Sequence, residues 1–567
     1  MKKKIFFQKL SVLLVAMVAS FELSTGQTDF NALSAAGCQE KVALFTDREI
    51  YCVGEPLFFR AYNISDPQLR SIDWSRVLYA EIITPDGKPV YQAKYRYDSA
   101  GTSGAIIIPE DVLTGNYYFR AYTKWMRNFS PYSYSYQIIQ IINPYNKELL
   151  KPQSDFTLSV EKFDQDSSGC PYLMIKTDKS SYHQREEVTL GAWVSKNKSL
   201  QNPYSIAVVK SDLVKYYTGT LPKINNVLPV QDYIPETRSI SFTGKVLNQK
   251  DSLPIPYMHV SLSILTPSRN TFATLTDKKG CFYFSLPDQE GEAEVFVSLK
   301  NPDPGFEPVI LVDNDFCSKE VKLPFIPFAI TEDGKHVLNE LIFNSQIAKK
   351  YRTLHPAEKL QDSVETVPFY SSSFQSVYFD EYILLPTMED YFNEFLPNVV
   401  IRKKEKTKYF RILGPYSELS IYEPLVLVDN VVVYNVDWIL SINPKKVSRI
   451  DKIEKPYILG NICYGGLIHI ISSGRDFAGV NLPSSGQFFK LTMYAFDGAC
   501  DDCRTDNPKI PDVRNTLYWN PEVHLSDGHP EEFIFHTGDV PGEYTAIMVT
   551  MDGYGKKLTT TCRFTVE

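Results

Sequence analysis

The sequence predicts a mainly β chain in which tandem β-sandwiches flank one α+β module. Three observations carry this reading. Tyr (36) and Phe (34) far outnumber Trp (5) and Met (9) among the 567 residues, and such rings favour pleated, half-buried surfaces. Short alternating runs are broken by turn residues at close spacing, as in a sandwich. An internal repeat also organises the N-terminal half. Thr46-Asp47-Arg48-Glu49-Ile50-Tyr51, followed by Glu55, returns at a constant offset of 131 residues as Thr177-Asp178-Lys179-Ser180-Ser181-Tyr182, followed by Glu186.

The length suits roughly four domains, and 43% apolar with 22% charged residues is ordinary globular composition. Lys2, Lys3, Lys4 and Lys9 precede a short apolar core, Leu10 to Ala19. Residues 1–27 therefore read as a secretory signal peptide, too short for a stable membrane anchor. No later window holds eighteen consecutive apolar residues, so no membrane-spanning helix is expected in the mature chain. Removing the leader takes away four Lys and one Glu and moves the net charge from −8 to −11. An acidic chain without a basic patch argues against nucleic acid, and against binding anionic lipid by charge alone.

The first sandwich is expected over 41–145. Leu78 to Ile83 runs into the turn Pro85-Asp86-Gly87-Lys88, and Gly104 to Pro109 is followed by Leu113-Thr114-Gly115-Asn116-Tyr117 and its aromatic strand. The second is expected over 155–235. In each T-D-x-x-x-Y copy, Thr and Asp hydrogen-bond a turn and Tyr packs beneath it. The motif resembles macroglobulin-type domains of the alpha-2-macroglobulin family. The second copy has Gln184-Arg185-Glu186 where the first has Val53-Gly54-Glu55, and so lacks the turn glycine.

A third sandwich is expected over 239–328, from Phe242-Thr243-Gly244-Lys245-Val246, Ile255-Pro256-Tyr257-Met258-His259-Val260 and the hairpin Thr276-Asp277-Lys278-Lys279-Gly280-Cys281-Phe282. This pattern resembles the carboxypeptidase regulatory-like (transthyretin-like) sandwich, an accessory domain that carries no peptidase activity. Residues 329–384 read as a connector with helical propensity over Val337–Tyr351.

An α+β module is expected over 385–490. Thr387 caps a short helix from Met388, and Val399 to Lys404 gives a strand. Leu425-Val426-Leu427-Val428-Asp429-Asn430 is a strand and turn, Val436 to Ile442 a helix, and Val447 to Ile453 a strand. Tyr464-Gly465-Gly466 then opens the last strand. Residues 423–472 resemble the plug domain of TonB-dependent outer-membrane receptors. Such plugs sit inside barrels of more than twenty strands, and the 95 residues after Ser472 cannot encode one at roughly 9–11 residues per strand. The expectation is a plug-like module without its pore. An immunoglobulin-like sandwich is expected over 505–567, ending in Pro541-Gly542-Glu543-Tyr544 and later strands. It vaguely resembles the C-terminal sorting domains of Bacteroidetes secreted proteins.

Residues for chemistry are sparse. The alpha-2-macroglobulin resemblance would imply protease trapping through a C-G-E-Q thioester, but that motif is absent. His524, His529 and His536 with Asp527, Glu531 and Glu532 match no zinc spacing and read as a chance cluster on a turn. Cys500-Asp501-Asp502-Cys503 has two aspartates between its thiols, which oppose the lowered thiol pKa that redox chemistry needs, so a structural disulfide is favoured. Cys38 and Cys52 are a second candidate disulfide pair. Ala35-Ala36-Gly37-Cys38 also loosely resembles a lipoprotein box, although Leu33 is two positions too early. No catalytic, metal or cofactor-binding residue is expected.

These readings imply an exported, Bacteroidetes-type envelope protein, periplasmic or associated with the outer membrane. It would be a non-enzymatic binding or scaffolding protein whose partner is another envelope protein, with an outer-membrane barrel among the candidates. The alternatives are an accessory of TonB-linked uptake and a macroglobulin-like protease-interacting protein without thioester.

Overall fold

A computed structural model describes residues 39–66, 74–151, 161–162, 170–195, 202–214, 217–218, 232–266, 268–300, 307–329, 332–351, 368–370, 374–404, 407–483, 485–495, 509–526, 528–552 and 555–567. The chain is mainly β, with several small sheets packed as sandwiches. The leader expected over residues 1–27 lies outside the described residues.

The first sandwich has a three-stranded sheet, Val42–Thr46, Pro56–Asn63 and Thr102–Ile107. Opposite it lies a five-stranded sheet in the order Ile50–Cys52, Ser135–Ile142, Gly115–Thr123, Val77–Ile83, Pro89–Arg96. Phe59 joins the two layers edge-on, 4.9 Å from the Tyr95 ring and 5.0 Å from Phe119. Each such aromatic pair is worth about 0.5–1.5 kcal/mol beyond its buried area. A tight turn, Thr84 to Lys88, links the hairpin strands Val77–Ile83 and Pro89–Arg96, with Gly87 at φ +85°.

The second sandwich repeats this topology strand for strand, but half of it comes from the C-terminus. Leu173–Thr177 and Glu187–Val194 are completed by Glu531–His536. The other sheet runs Ser181–Tyr182, Lys557–Val566, Gly542–Met551, Tyr204–Lys210, Thr516–Val523. The separate C-terminal sandwich expected over 505–567 is therefore corrected, as is the self-contained one over 155–235. The physical reason lies in Tyr204–Lys210, which is buried at every position and needs a hydrogen-bonded neighbour on each edge. Gly542–Met551 and Thr516–Val523 supply them.

Where the first sandwich has the Thr84–Lys88 turn, the second accommodates residues 211–515. This insertion carries a third sandwich with sheets Cys281–Ser285, Ser241–Asn248, Pro308–Val312 and Asn270–Leu275, His259–Thr266, Glu292–Leu299, Gln487–Thr492. The third sandwich is interrupted in turn, between Val312 and Gln487, by the α+β module. The boundary expected at 490 is thus corrected, since Gln487–Thr492 pairs with Glu292–Leu299. Residues 313–328 leave the third sandwich and strap the first: Tyr118 Oη donates to the Pro324 carbonyl at 2.7 Å, and Asn116 Nδ2 to that of Ile326 at 3.0 Å. Helix Glu332–Tyr351 then seals the seam between the first two sandwiches, with Leu341 among Ile50, Cys52, Ile142 and Leu213.

The α+β module has one five-stranded sheet, Gln375–Tyr378, Val447–Ile453, Leu467–Ser472, Leu425–Val428, Val431–Val432. Gln375–Tyr378 lies in the expected connector, so the module begins earlier than residue 385. Its helices Met388–Phe395 and Val436–Leu440 form where expected. Thr387 caps the first: its hydroxyl accepts from Asp390 N, while the Asp390 carboxylate accepts from Thr387 N at 3.1 Å.

The repeated motif has the same geometry twice. Tyr51 Oη donates to Asp47 Oδ1 at 2.8 Å and Tyr182 Oη to Asp178 Oδ1 at 2.6 Å. The next strand's Phe58 and Thr189 amides each donate to the same oxygen at 3.0 Å. Arg185 occupies the position of Gly54 and adopts its left-handed backbone, φ +58° against +80°. That conformation costs roughly 1–2 kcal/mol for a side-chain-bearing residue. Two charge-assisted hydrogen bonds from Arg185 to Asp539, both 2.6 Å, offset it.

The first copy is buried in the seam between sandwiches. Arg48 reaches Glu55 at 3.1 Å and Thr516 Oγ1 at 2.6 Å, and Asn515 Nδ2 donates to Glu55 Oε1 at 2.7 Å. Trp519 packs beside Phe45 and Phe58, with centroids 5.6 and 6.1 Å apart.

Two predictions follow from this architecture. A fragment of residues 170–236 is expected to show the narrow amide dispersion of an unfolded chain, and addition of fragment 509–567 is expected to restore dispersed strand resonances. The second concerns Glu40, which is buried, accepts from Thr123 and Ser75, and has its pKa pushed up to about 7, first by burial. Because this lies above the ordinary value of 4.5, the stability it contributes is fully present below that pH and is lost as pH rises through 7. Glu40→Gln should be close to neutral at acid pH and stabilising by on the order of 3 kcal/mol in alkaline solution, read by denaturant titration.

Candidate functional site

The stretch 425–472 builds the α+β sheet and its joint with the third sandwich. Asp429 and Asn430 both have positive φ, +46° and +70°, closing the two-residue hairpin turn for which Asp and Asn are suited. Asp429 is buried and accepts from Ser472 N at 2.9 Å and Phe477 N at 2.8 Å. The Asn430 carbonyl accepts from Ser263 Oγ at 2.8 Å and Thr271 Oγ1 at 2.6 Å, both on the third sandwich. The conspicuous L-V-D-N turn is thus the joint by which the module is held.

Behind it runs a buried polar chain. The Asn430 amide donates to His469 Nε2 at 3.1 Å, which leaves the imidazole proton on Nδ1, 3.0 Å from Tyr370 Oη. Tyr370 donates to Asp451 Oδ2 at 2.6 Å, and Ser376 Oγ and Arg449 Nε complete the carboxylate. Burial, followed by the Arg475 and Arg449 charges, lowers the His469 pKa to about 3. Asp451, Tyr370 and His469 stand in relay order and all three are buried. Their hydrogen bonds tie strands Val447–Ile453 and Leu467–Ser472 to the Asp429–Asn430 turn.

The outer surface of the module differs. Nine of the twenty-one large apolar side chains that remain exposed among the described residues lie on it, including Tyr382, Ile383 (87% exposed), Leu384, Ile421 and Tyr422. Scattered apolar residues are normal on any protein, whereas grouped ones mark interaction surfaces. Tyr382 is partly held by the Phe395 ring at 4.2 Å, and Ile383 extends beyond it.

The residues singled out from sequence do not assemble into this site. Cys38, Cys500, Cys503 and Asp527 lie outside the described residues. Cys52 is a buried free thiol beneath helix Glu332–Tyr351, 3.9 Å from the Leu341 carbonyl, and burial pushes its pKa up. His524 lies 3.6 Å from Glu522 and His536 4.0 Å from Glu187. Among the described residues no three His, Cys, Asp or Glu side chains converge as a metal site, and no helix is long and apolar enough to cross a membrane. Sequence reasoning missed Tyr370 and Ser376, because both fall in a segment without periodicity.

No family model matches the chain, and no curated protein matches it. Among solved structures, Escherichia coli alpha-2-macroglobulin activated by porcine elastase is 9% identical over 93% of this chain and 44% of that one, with a TM-score of 0.23. The trypsin-activated form of the E. coli protein gives 9%, 93%, 41% and 0.23. A Salmonella alpha-2-macroglobulin variant gives 7%, 94%, 40% and 0.20. The chain thus spans less than half the length of these structures, and TM-scores this low establish no common fold.

Removing the Tyr370 hydroxyl leaves the His469 Nδ1–H without its partner and takes from Asp451 Oδ2 its shorter hydrogen bond, leaving Arg449 Nε at 3.3 Å. Tyr370→Phe is expected to destabilise the chain by about 1–3 kcal/mol in urea titration. In the intact protein the His469 ring should show no titration between about pH 8 and pH 5 by NMR. Because its folded pKa is depressed, the stability it contributes is present above 6.5, its ordinary value, and is lost as pH falls towards 3.

Proposed function

We propose that this chain is an exported, non-enzymatic binding protein of the bacterial envelope. Its sandwiches form a rigid support, and the inserted α+β module presents the binding surface. The carrying observation is the concentration of exposed apolar side chains on that module, set against seams elsewhere that are closed by buried ion pairs. The leader-like residues 1–27 support export, and the resemblance of 423–472 to receptor plugs supports an outer-membrane setting. The partner is another envelope protein, with a barrel receptor as the leading candidate. A barrel partner would make the chain an accessory of TonB-linked uptake.

The test is crosslinking and affinity capture from the native envelope, comparing the wild type with Ile383→Asp and Ile421→Asp. A defined envelope partner that is recovered with the wild type and reduced at least about tenfold with either variant is expected, as for loss of an apolar anchor. Recovery of no envelope protein above background, or equal recovery with both variants, would overturn the reading.

A further inference from the structure

A second, polar site lies away from the α+β module, where the first and third sandwiches meet. A cleft of about 270 Å³ opens between them, room for about nine waters at roughly 30 Å³ each or for one small organic solute. Two lysines of the first sandwich border it, and they are not equivalent. Lys94 is fully engaged: its ammonium is 2.6 Å from Asp315 Oδ1, donates to the Thr492 carbonyl at 2.8 Å, and sits over the Tyr79 and Phe316 rings.

Lys124 is only 5% exposed and has no carboxylate in contact. It donates to Ser241 Oγ at 2.8 Å and Thr243 Oγ1 at 3.3 Å. Both hydroxyls pass their own proton onward, Ser241 to Glu236 at 2.7 Å and Thr243 to Asp313 at 2.6 Å. An ammonium has three donors, so one N–H of Lys124 is left without an acceptor among the described residues, on the wall of a cleft. A buried polar group in that condition calls for a partner. Burial also lowers the Lys124 pKa, a shift that an anion placed beside its ammonium would oppose.

Asp313 stands at the rim, exposed, and no cation pairs with it among the described residues. Thr243 bridges the two groups, so Lys124 Nζ and the Asp313 carboxylate are within about 6 Å of each other. The remaining wall carries Asn314 and Asp315, the latter neutralised by Lys94 at 2.6 Å, and an apolar side formed by Phe242, Phe489 and Leu491. Lys490, also on the rim, is engaged by Glu292 at 2.6 Å.

From this arrangement we infer that the cleft binds a free apolar α-amino acid. Its carboxylate takes the open N–H of Lys124, its ammonium sits on Asp313, and its side chain lies against Phe242 and Phe489. A solute bearing both charges on one carbon meets the short spacing between Lys124 and Asp313. Fixed polar groups set orientation while apolar walls supply contact area.

The site is separate from the surface of the α+β module, so its failure leaves the function proposed above untouched. The test is calorimetric titration of the full chain with L-leucine, alongside N-acetyl-L-leucine and isopentylamine, which lack the ammonium and the carboxylate respectively. Saturable binding of L-leucine with Kd below about 1 mM is expected, with both analogues at least about tenfold weaker. Asp313→Asn, at the exposed rim, should weaken L-leucine at least tenfold while leaving N-acetyl-L-leucine unchanged. Lys124→Met should abolish binding of both. No saturable L-leucine binding, binding undiminished in Asp313→Asn, or isopentylamine binding as tightly as L-leucine would each overturn the assignment.

Discussion

Strand Tyr204–Lys210 constrains the whole chain. Both of its edges are occupied by strands encoded some 300 residues later, Thr516–Val523 and Gly542–Met551. Hydrogen-bonded strands lie about 4.8 Å apart, so the insertion between them must leave and return at neighbouring points. Everything within 211–515 is therefore tethered at both ends. The third sandwich, itself opened to admit the α+β module, is further fixed by the strap 313–328 and by Lys94, Arg96 and Arg127 reaching across from the first sandwich.

The same motif chemistry serves two purposes. In the first copy, Asp47, Arg48 and Glu55 are buried and select the surface of the second sandwich that bears Asn515 and Thr516. Replacing a buried ion network with apolar residues often leaves stability unchanged, whereas removing one member is costly because it strands a charge. Here the network also dictates which faces meet, since an apolar seam alone would tolerate sliding. In the second copy, Lys179 and Glu186 pair in water, where an ion pair adds little. Identical local chemistry is thus structural cement in one setting and surface in the other.

Local features were legible from the sequence because they depend on neighbouring residues. The Thr387 cap, the Asp429-Asn430 turn and the strands Val399–Lys404 and Val447–Ile453 all arise from patterns a few residues long. Strand partnership was not legible, because nothing in Thr516–Val523 names Tyr204–Lys210. One clue was available. Pro541-Gly542-Glu543-Tyr544 repeats the turn before Tyr117, and Tyr544 donates to the Val540 carbonyl at 2.9 Å as Tyr117 does to Leu113 at 2.8 Å. The regular offset ends at the insertion, so the repeat read as a new domain rather than the second half of an old one. The proposed binding surfaces were hidden for a related reason. The Lys124 cleft gathers side chains from two sandwiches, and the exposure of Ile383 depends on which neighbours fail to cover it.

Nesting also sets a timetable. At roughly 5–20 residues per second, the ribosome needs about 15–60 s to pass from Lys210 to the strands that complete its sheet. During that interval the innermost unit can close first, the third sandwich only after Gln487–Thr492, and the second last of all. The nested part of the chain is therefore completed from the inside outward, and the strands within residues 173–210 wait on those within 516–566, whereas the first sandwich is built from residues 42–142 alone. Until those strands arrive, Tyr204–Lys210 keeps two unpaired edges, a template that another strand could occupy in their place.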